Sequence, residues 1–265
     1  MQANFNLKRE IQNELIYGIS HSPGTYIHFH SQIEIYFIRS GKVEIIINDK
    51  RKVLGADEFA VALSYDAHGY RMISESAEAM YLIIPTDYLG EILPMLTARH
   101  FESPFINHPE TVKTVSDAMQ SLIAGGNEVT RRGLIYLILG AILDRMTKSE
   151  QNSEQSHLFS PEILIYISEH FREDLTLSAV AGEFGYNASY LSRSFRETFG
   201  ISFVKYLTMI RLREAILLLR SENKSVIECA MESGFGSMRS FYRAFHEEFG
   251  LTPKEYFATE QNKMK

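Results

Sequence analysis

The sequence predicts an α+β protein of two domains, with an N-terminal β-barrel that carries appended helices and an all-α C-terminal domain. Three observations lead to this prediction. Short apolar runs separated by turn residues recur over roughly the first 85 residues, as in a β-sandwich or barrel. The apolar pattern becomes helical after Pro85. A helix-turn-helix pattern then occurs twice, and an internal repeat identifies an architecture.

These patterns divide the chain of 265 residues into four segments. The polar stretch from Lys148 to His157 is free of large apolar residues and predicts the linker. We expect a barrel over residues 1–90, a helical region over 91–148, a linker over 149–158 and a helical domain over 159–265, whose two helix-turn-helix units span about 176–198 and 225–248.

Composition excludes several classes of protein. The longest apolar run, Leu134 to Leu143, is too short to span a bilayer. The N-terminus lacks a basic stretch followed by an apolar core, so we expect no secretory signal and a cytoplasmic protein. Cys229, the single cysteine, rules out an internal disulfide framework, and we expect it to be buried. The formal net charge of -6 argues against a protein whose whole surface binds nucleic acid.

The predicted strands of the barrel are short and evenly spaced. Turn signals such as Ser22-Pro23-Gly24 and Ser40-Gly41-Lys42 separate them. We expect strands over residues 15–19, 26–30, 33–38, 43–48, 59–63 and 80–84.

The region after the barrel predicts a short helix over residues 87–96 and two longer helices. The first of these runs over 111–123 with Thr111 as candidate N-cap, and the second over 129–146. Two such helices either cover the barrel or form a dimerisation surface. We favour helices that do both, covering the barrel and contributing to dimerisation.

The second helix-turn-helix unit lies between Ser225 and Phe257. Ser225 is a good N-cap, and Gly234 ends the first helix because glycine adopts the left-handed conformation without steric cost. Ser237 caps the second helix. Its apolar stripe repeats every four residues, at Phe241, Phe245 and Phe249.

The first unit matches the second at a constant offset over the second helix and beyond. Arg193, Phe195, Phe199, Gly200 and Tyr206 correspond to Arg243, Phe245, Phe249, Gly250 and Tyr256. Ala181 and Gly185 correspond to Ala230 and Gly234 only after a slip of one residue in the turn. One long helix, roughly Phe203 to Arg220, is expected to join the two units.

These residues resemble a known family. The stretch from Leu175 to Phe257 is similar to the DNA-binding domain of AraC/XylS-type transcription regulators, through Gly234-Phe235, Phe249-Gly250, Thr252-Pro253 and, in the joining helix, Arg211-Leu212. The resemblance implies a sequence-specific DNA-binding regulator, an activator more often than a repressor. It also implies a homodimer, a small-molecule effector with a sugar as the first candidate, and RNA polymerase as a partner.

The resemblance also implies which residues contact DNA. From Phe159 onward the chain carries 13 Lys/Arg against 14 Asp/Glu, so affinity must come from arginines concentrated on one face. Arg243 could instead form a salt bridge within the domain. The expected DNA-binding residues are Asn187, Ser189, Ser192, Arg193, Arg196, Ser237, Met238, Arg239, Tyr242, Arg243 and His246.

The barrel carries histidines in a second recognisable pattern. Strand alternation places His28 and His30 on one face, Glu34 can join them from the next strand, and His68 follows later. This set is similar to the cupin pattern, which in cupin enzymes holds a divalent metal. A metal-dependent cupin enzyme fused to a DNA-binding domain is therefore the alternative function.

We favour a sensor over an enzyme. The stretch before His68 lacks the proline and glycine usual in cupins, and AraC-type regulators often carry a cupin-like sensor without metal. We therefore expect no catalytic residue, no resident metal and no cofactor. The expected ligand-binding residues are His28, His30, Glu34, Tyr36, Arg39, His68 and Tyr70.

Overall fold

The computed structural model describes residues 4–12, 14–92, 95–96, 99–148, 161–221 and 224–263. The chain divides into two compact units. The first contains residues 1–6 and 12–157, and the second contains Leu7–Ile11 and residues 158–265. The predicted linker over 149–158 lies outside the described residues, as does Ser160, a candidate N-cap for the first helix of the C-terminal domain.

The first unit consists mainly of short strands, as the turn signals predict. They are β1 (Asn4–Phe5), β2 (Ile16–Ser20), β3 (Gly24–Phe29), β4 (Ile33–Ser40), β5 (Val43–Ile47), β6 (Lys50–Leu54), β7 (Glu58–Ala62), β8 (His68–Met72), β9 (Glu78–Ile84), β10 (Arg99–His100), β11 (Phe105–Ile106) and β12 (Thr147–Lys148). Helix α1 (Leu7–Gln12) follows β1.

Two five-stranded sheets form among the described residues. Their strand orders are β1-β3-β8-β5-β6 and β11-β7-β4-β9-β2, and β10 pairs with β12 separately. Neighbouring strands are antiparallel except for β1, which runs parallel to β3. The predicted combination of a β-rich N-terminal unit and a helical C-terminal unit is confirmed.

Strand β4 shows how the two faces of its sheet are used. Ile33, Ile35 and Phe37 pack in one core with the helices that follow the sheets. Tyr36 and Ile38, at alternate positions, pack in another core with the facing sheet. This period of two places β4 between two apolar layers. The space between the sheets is therefore the interior of the barrel.

Helices α2 (Pro109–Ala124) and α3 (Glu128–Leu143) cover the core that contains Ile33, Ile35 and Phe37. The expected N-cap Thr111 is wrong. Helix α2 begins at Pro109, whose missing N–H is no loss at a first helical position, and Thr111 is buried inside the helix. The Asn127 side chain caps α3 by accepting from the Thr130 N–H, so this helix begins one residue earlier than predicted and ends at Leu143.

Two other predictions need correction. The short helix expected over 87–96 is only partly present: the described residues form two 3-10 turns, Thr86–Tyr88 and Gly90–Ile92, and residues 95–96 are helical. Strands β6 and β8 were not predicted. Their sequences, KRKVL and HGYRM, lack a regular apolar alternation. Each of these strands pairs with β5, one on either side of it, and this pairing stabilises the extended conformation that the local pattern does not predict.

The second unit is helical. Besides Leu7–Ile11, which are most of α1, it contains α4 (Pro161–His170), α5 (Leu177–Glu183), α6 (Ala188–Phe199), α7 (Phe203–Ser221), α8 (Val226–Glu232), α9 (Met238–Phe249) and α10 (Pro253–Lys263). The joining helix α7 contacts α6, α8 and α9. Cys229 is fully buried, as expected. Among the described residues, none of the helices is both long enough and apolar enough to cross a bilayer.

The internal repeat extends to side-chain packing. Ring centroids of Phe195 and Phe199 lie 4.7 Å apart, and those of Phe245 and Phe249 also lie 4.7 Å apart. Tyr206 contacts Phe195 at 5.4 Å, as Tyr256 contacts Phe245 at 5.6 Å. Gly200 and Gly250 end the two helices with φ of 68° and 67°. The predicted repeat is therefore present in three dimensions.

Candidate functional site

Helix α6 is the second helix of the first unit. Its N-terminus is fixed by Asn187, whose side-chain oxygen accepts from the backbone N–H groups of Ser189 and Tyr190. Leu191, Phe195 and Phe199 are buried. The helical period then leaves the opposite face exposed, and it carries the predicted DNA-binding residues Asn187, Ser189, Ser192, Arg193 and Arg196.

Helix α9 repeats this arrangement. The Ser237 hydroxyl accepts from the Ser240 backbone N–H at 3.2 Å, and Phe241 and Phe245 are fully buried. The exposed positions include Ser237, Arg239, Tyr242, Arg243 and His246, while Met238 is half-buried. Each helix therefore presents a polar, arginine-bearing face.

The arginines on these faces are available for a partner. Among the described residues, the side chains of Arg193, Arg196 and Arg239 form neither a hydrogen bond nor an ion pair. Arg243 approaches only Glu247 on the same helix, at 3.9 Å, and its side chain is 76% exposed. Such an exposed pair contributes little free energy. The alternative of a structural salt bridge for Arg243 is therefore weakly supported.

Two exposed tyrosines near the start of α6 were absent from our predicted set. Tyr186 and Tyr190 are 43% and 50% exposed, and their rings stack with centroids 6.0 Å apart. Tyr190 lies three positions before Arg193, which places both on the same side of the helix. This spacing is the signal that could have identified Tyr190.

The barrel brings together four residues that are far apart in the sequence. His28 in β3 pairs across the sheet with His68 in β8, Glu34 lies in β4, and His30 lies between β3 and β4. One ligand atom from each of the four side chains lies within 4.8 Å of the others. His30, Glu34 and His68 are buried, whereas His28 is partly exposed. We call these four residues the histidine cluster.

The three imidazoles share one orientation. Each Nδ1 lies near a backbone carbonyl oxygen: His28 near that of Tyr26 at 2.8 Å, His30 near that of Gln32 at 3.1 Å and His68 near that of Asp66 at 2.8 Å. A carbonyl oxygen can only accept, so each Nδ1 carries the proton and donates it. The Nε2 atom of each ring therefore remains to contact the other side chains of the cluster.

A side-chain network fixes the loop before His68. Asp66 accepts from the Asn48 amide at 2.8 Å and from the Leu63 backbone N–H at 2.8 Å. The Asn48 side-chain oxygen accepts in turn from the Ala67 N–H at 2.9 Å. The stretch before His68 lacks the proline and glycine usual in cupins, and these hydrogen bonds hold the loop in their place. His68 therefore reaches the cluster despite the unusual loop sequence.

Charge inside the cluster shifts the pKa values of its members. Burial alone would raise the pKa of Glu34, but its contacts with His30 and His68 hold it well below the usual range. Burial would lower the pKa of His68, but contact with Glu34 raises it. Burial, together with the neighbouring His68, lowers the pKa of His28 to about 4. The cluster therefore pairs one carboxylate with several imidazoles in a shielded space.

The other predicted ligand-binding residues divide into two groups. Tyr36 and Tyr70 are buried in the barrel interior, with their rings stacked at 4.1 Å, and Tyr70 lies beside His68. Burial raises the pKa of Tyr36 to about 12, so its hydroxyl stays protonated. Arg39 is exposed and pairs with Glu78 at 2.7 Å. The structure does not bring Arg39 to the cluster, because β4 leaves the interior at that end.

Comparison with protein families matches each unit to a known domain. A helix-turn-helix domain family matches residues 180–259. A cupin domain family matches residues 20–85, which include the whole histidine cluster.

Individual proteins are similar to all or part of the chain. The HTH-type transcriptional activator RhaS of Klebsiella pneumoniae is 22% identical in an alignment of 239 positions that covers 86% of each chain. An uncharacterized HTH-type transcriptional regulator of Staphylococcus aureus, SAS0078, is 36% identical over 95 residues, which are 36% of this chain but only 13% of that protein. The solved structure of the AraC-like transcriptional activator CuxR is 15% identical, with a TM-score of 0.43 over 83% of this chain and 82% of that one.

The repeated helix-turn-helix, the residues of its turns and caps, and the two domain matches lead to one assignment. The chain carries an AraC-type helix-turn-helix domain over residues 180–259 and a cupin domain over residues 20–85.

Proposed function

We propose that this chain is a ligand-responsive transcriptional activator that reads DNA with both α6 and α9. One observation carries the proposal: the two helices expose arginines at equivalent positions, Arg193 and Arg243, and neither is held by a strong contact within the unit. Arginine is the most common reader of guanine, through a paired contact to O6 and N7. The relative RhaS, which matches 86% of this chain, is named as an activator.

The two recognition helices predict the form of the operator. Helices carried by one joining helix should enter successive major grooves on one side of the duplex, about 34 Å apart. One subunit then protects a nonpalindromic site of about two turns. A dimer favours two such sites arranged as repeats.

The first unit is proposed to receive the signal and to dimerise. Buried Tyr36 and Tyr70 and the histidine cluster line a shielded interior suited to a small molecule, with a sugar as the first candidate. On α3, Tyr136 and Leu137 are about half exposed, which supports a second copy of the chain as a partner of this helix. The effector must bind one arrangement of the dimer better than the other. We also propose RNA polymerase as a partner. The proposed location of the protein is the cytoplasm.

The test combines footprinting with two substitutions. Arg193→Ala and Arg239→Ala should each weaken specific operator binding by about 1–3 kcal/mol, since each removes a base contact. Arg145→Ala, an exposed arginine of the first unit, is the matched control for lost charge. Quantitative gel shift gives the affinity, and circular dichroism verifies the fold.

Two results would contradict the proposal. The first is operator binding like wild type by folded Arg193→Ala and Arg239→Ala proteins. The second is a footprint of about six base pairs per subunit, which would mean that only one recognition helix reads DNA.

The histidine cluster supports a second candidate, a metal-dependent cupin enzyme fused to a DNA-binding domain. We assign no reaction to the barrel, because the matched relatives are named as transcriptional regulators. Turnover of a small organic substrate by the purified protein would favour the enzyme.

A further inference from the structure

A groove lies on the outer face of the sheet whose strand order is β1-β3-β8-β5-β6. Ile45 of β5 and Tyr70 of β8 are buried in the barrel interior, so the period of two turns their strand neighbours outward. The groove has a volume of about 510 Å³, which is within the range of small-molecule sites. We call it the outer groove, and its lining includes Tyr26, Ile27, Ile46, Arg51, Gly69 and Arg71.

Gly69 forms the floor of the outer groove because it has no side chain. Strand β3 shifts its register here, so that Tyr26 and Ile27 together face Gly69 of β8. This bulge brings Ile27 against the glycine, since a Cβ atom on Gly69 would lie 3.1 Å from Ile27 Cγ1. Ile46 of β5 pairs with Gly69 from the other side. The result is an apolar trough between two isoleucines, which suits a flat apolar group.

Two arginines give the outer groove a net positive charge. Arg71 donates to Glu44 Oε2 through Nε at 3.1 Å and through Nη2 at 2.8 Å. The Arg51 guanidinium approaches the other Glu44 oxygen only to 3.6 Å, which is too far for a hydrogen bond. The side chains of Arg51 and Arg71 are 61% and 68% exposed, so both can turn toward a ligand. One carboxylate therefore faces two guanidinium groups, and the groove favours an anion.

Tyr26 adds an aromatic ring at the rim of the groove. Its side chain is 92% exposed, although tyrosine has a large apolar area. The Tyr26 backbone carbonyl accepts from the His28 ring at 2.8 Å, which holds the bulge from which the side chain projects. A ring in this position can stack on a flat ligand that lies in the trough.

We propose that the outer groove binds a small organic anion with a flat apolar body. The body lies on Gly69 between the two isoleucines, beside the Tyr26 ring, and the anionic group accepts hydrogen bonds from Arg51 and Arg71. Glu44 limits the affinity, because it competes with the ligand for the same donors. This site is separate from the barrel interior, since the two arginines lie on the opposite face of the sheet.

Two fluorescent probes that share their rings test the proposal on the full-length chain. Anilinonaphthalene sulfonate carries an anionic group, and phenylnaphthylamine has the same rings without it. Fluorescence titration gives the Kd of each probe for the wild-type protein and for each variant. Because either probe can also bind apolar surface elsewhere, the change in Kd caused by a substitution in the groove is the quantity that is compared.

Substitutions locate the site and determine the sign of the charge effect. Arg51→Gln and Arg71→Gln should each weaken binding of the sulfonate probe by about fivefold, the upper end for an exposed ion pair. Glu44→Gln should strengthen it by about the same factor, since it frees the donors of both arginines. Neither effect should occur with the neutral probe. Tyr26→Ala should weaken both probes by about two- to tenfold, because it removes a ring contact. Arg145→Gln is the matched control, since Arg145 is exposed and lies outside the groove.

Three results would overturn the proposal. The first is wild-type affinity for the sulfonate probe in both arginine variants, which would place the probe elsewhere. The second is weaker binding of that probe to a folded Glu44→Gln protein. The third is an affinity that falls as the chain concentration rises, which would mean that a second copy of the chain covers the groove. Circular dichroism verifies the fold, and the exposed Tyr26, Arg51 and Arg71 remain informative if Glu44→Gln does not fold. Operator binding is not measured, so the result is independent of the proposed regulator function.

Discussion

In the first helix-turn-helix unit the turn carries Gly185, Tyr186 and Asn187, whereas in the second it carries Gly234, Phe235, Gly236 and Ser237. The backbone matches up to the aromatic residue: Tyr186 N–H donates to the Ala181 carbonyl and Phe235 N–H to the Ala230 carbonyl. The slip of one residue predicted from the sequence therefore falls at Gly236, just before the recognition helix.

The two turns also differ in what surrounds them. Phe235 is 5% exposed and meets Phe241 edge to face, whereas Tyr186 is 43% exposed. A Cβ atom on Gly234 would lie 2.7 Å from Cα of Arg172, but a Cβ atom on Gly185 would meet nothing within 4 Å. The second turn is thus built into the core, and the first lies on its surface. Equivalent positions in the two units therefore contribute differently to the free energy of unfolding.

The largest expected difference concerns the aromatic residue. Phe235→Ala should reduce the free energy of unfolding by about 3–5 kcal/mol, because it empties a buried aromatic site. Tyr186→Ala should change it by less than about 0.5 kcal/mol, as for most surface positions. Urea unfolding followed by circular dichroism measures both. Similar losses in the two variants would remove the distinction between the turns.

The next difference concerns the glycine. Both glycines have positive φ, 71° at Gly185 and 88° at Gly234, so alanine costs about 1–2 kcal/mol at either position. At Gly234 the new Cβ also collides with the backbone of Phe171 and Arg172, which adds about 1–3 kcal/mol. The same unfolding assay compares Gly234→Ala with Gly185→Ala. A larger loss for Gly185→Ala would contradict the structure.

The smallest expected difference concerns the N-caps of the first helix in each unit, Thr176 and Ser225. Ser225→Ala and Thr176→Ala should each cost about 1 kcal/mol, since each hydroxyl oxygen accepts from a backbone N–H. Only Ser225 also contacts an acidic side chain, Glu228, and that contact holds the pKa of Glu228 below its usual range. A carboxyl with a lowered folded-state pKa stabilises above its unfolded value of 4.5 and loses that contribution as pH falls. The effect of Ser225→Ala should therefore shrink below pH 4.5, whereas that of Thr176→Ala should not.

The helical unit could be read from the sequence because its signals are local. Ser225 and Ser237 cap helices as expected, and the four-residue spacing of Phe241, Phe245 and Phe249 identifies the packed side of α9. Tyr186 was missed because exposure depends on how the turn packs, and the sequence of the turn alone does not contain that information.

The barrel was less predictable because its contacts join distant residues. The sequence suggested that His28, His30, Glu34 and His68 meet, but the orientation of the rings depends on carbonyl groups of the backbone. The role of Asn48 depends on a partner 18 residues away. Strand β8 formed despite a poor local pattern for the same reason, since β3 and β5 flank it.

Helix α4 touches both turns of the helical unit. Near its middle, Tyr166 meets Phe184 edge to face where α5 ends, at 5.6 Å. Just after its last turn, the carbonyl of Phe171 accepts from Arg211 of α7 at 2.8 Å, and the same stretch abuts Gly234. Helix α4 and the residues just after it therefore contact both helix-turn-helix units, so a substitution that displaces them should disturb both recognition helices.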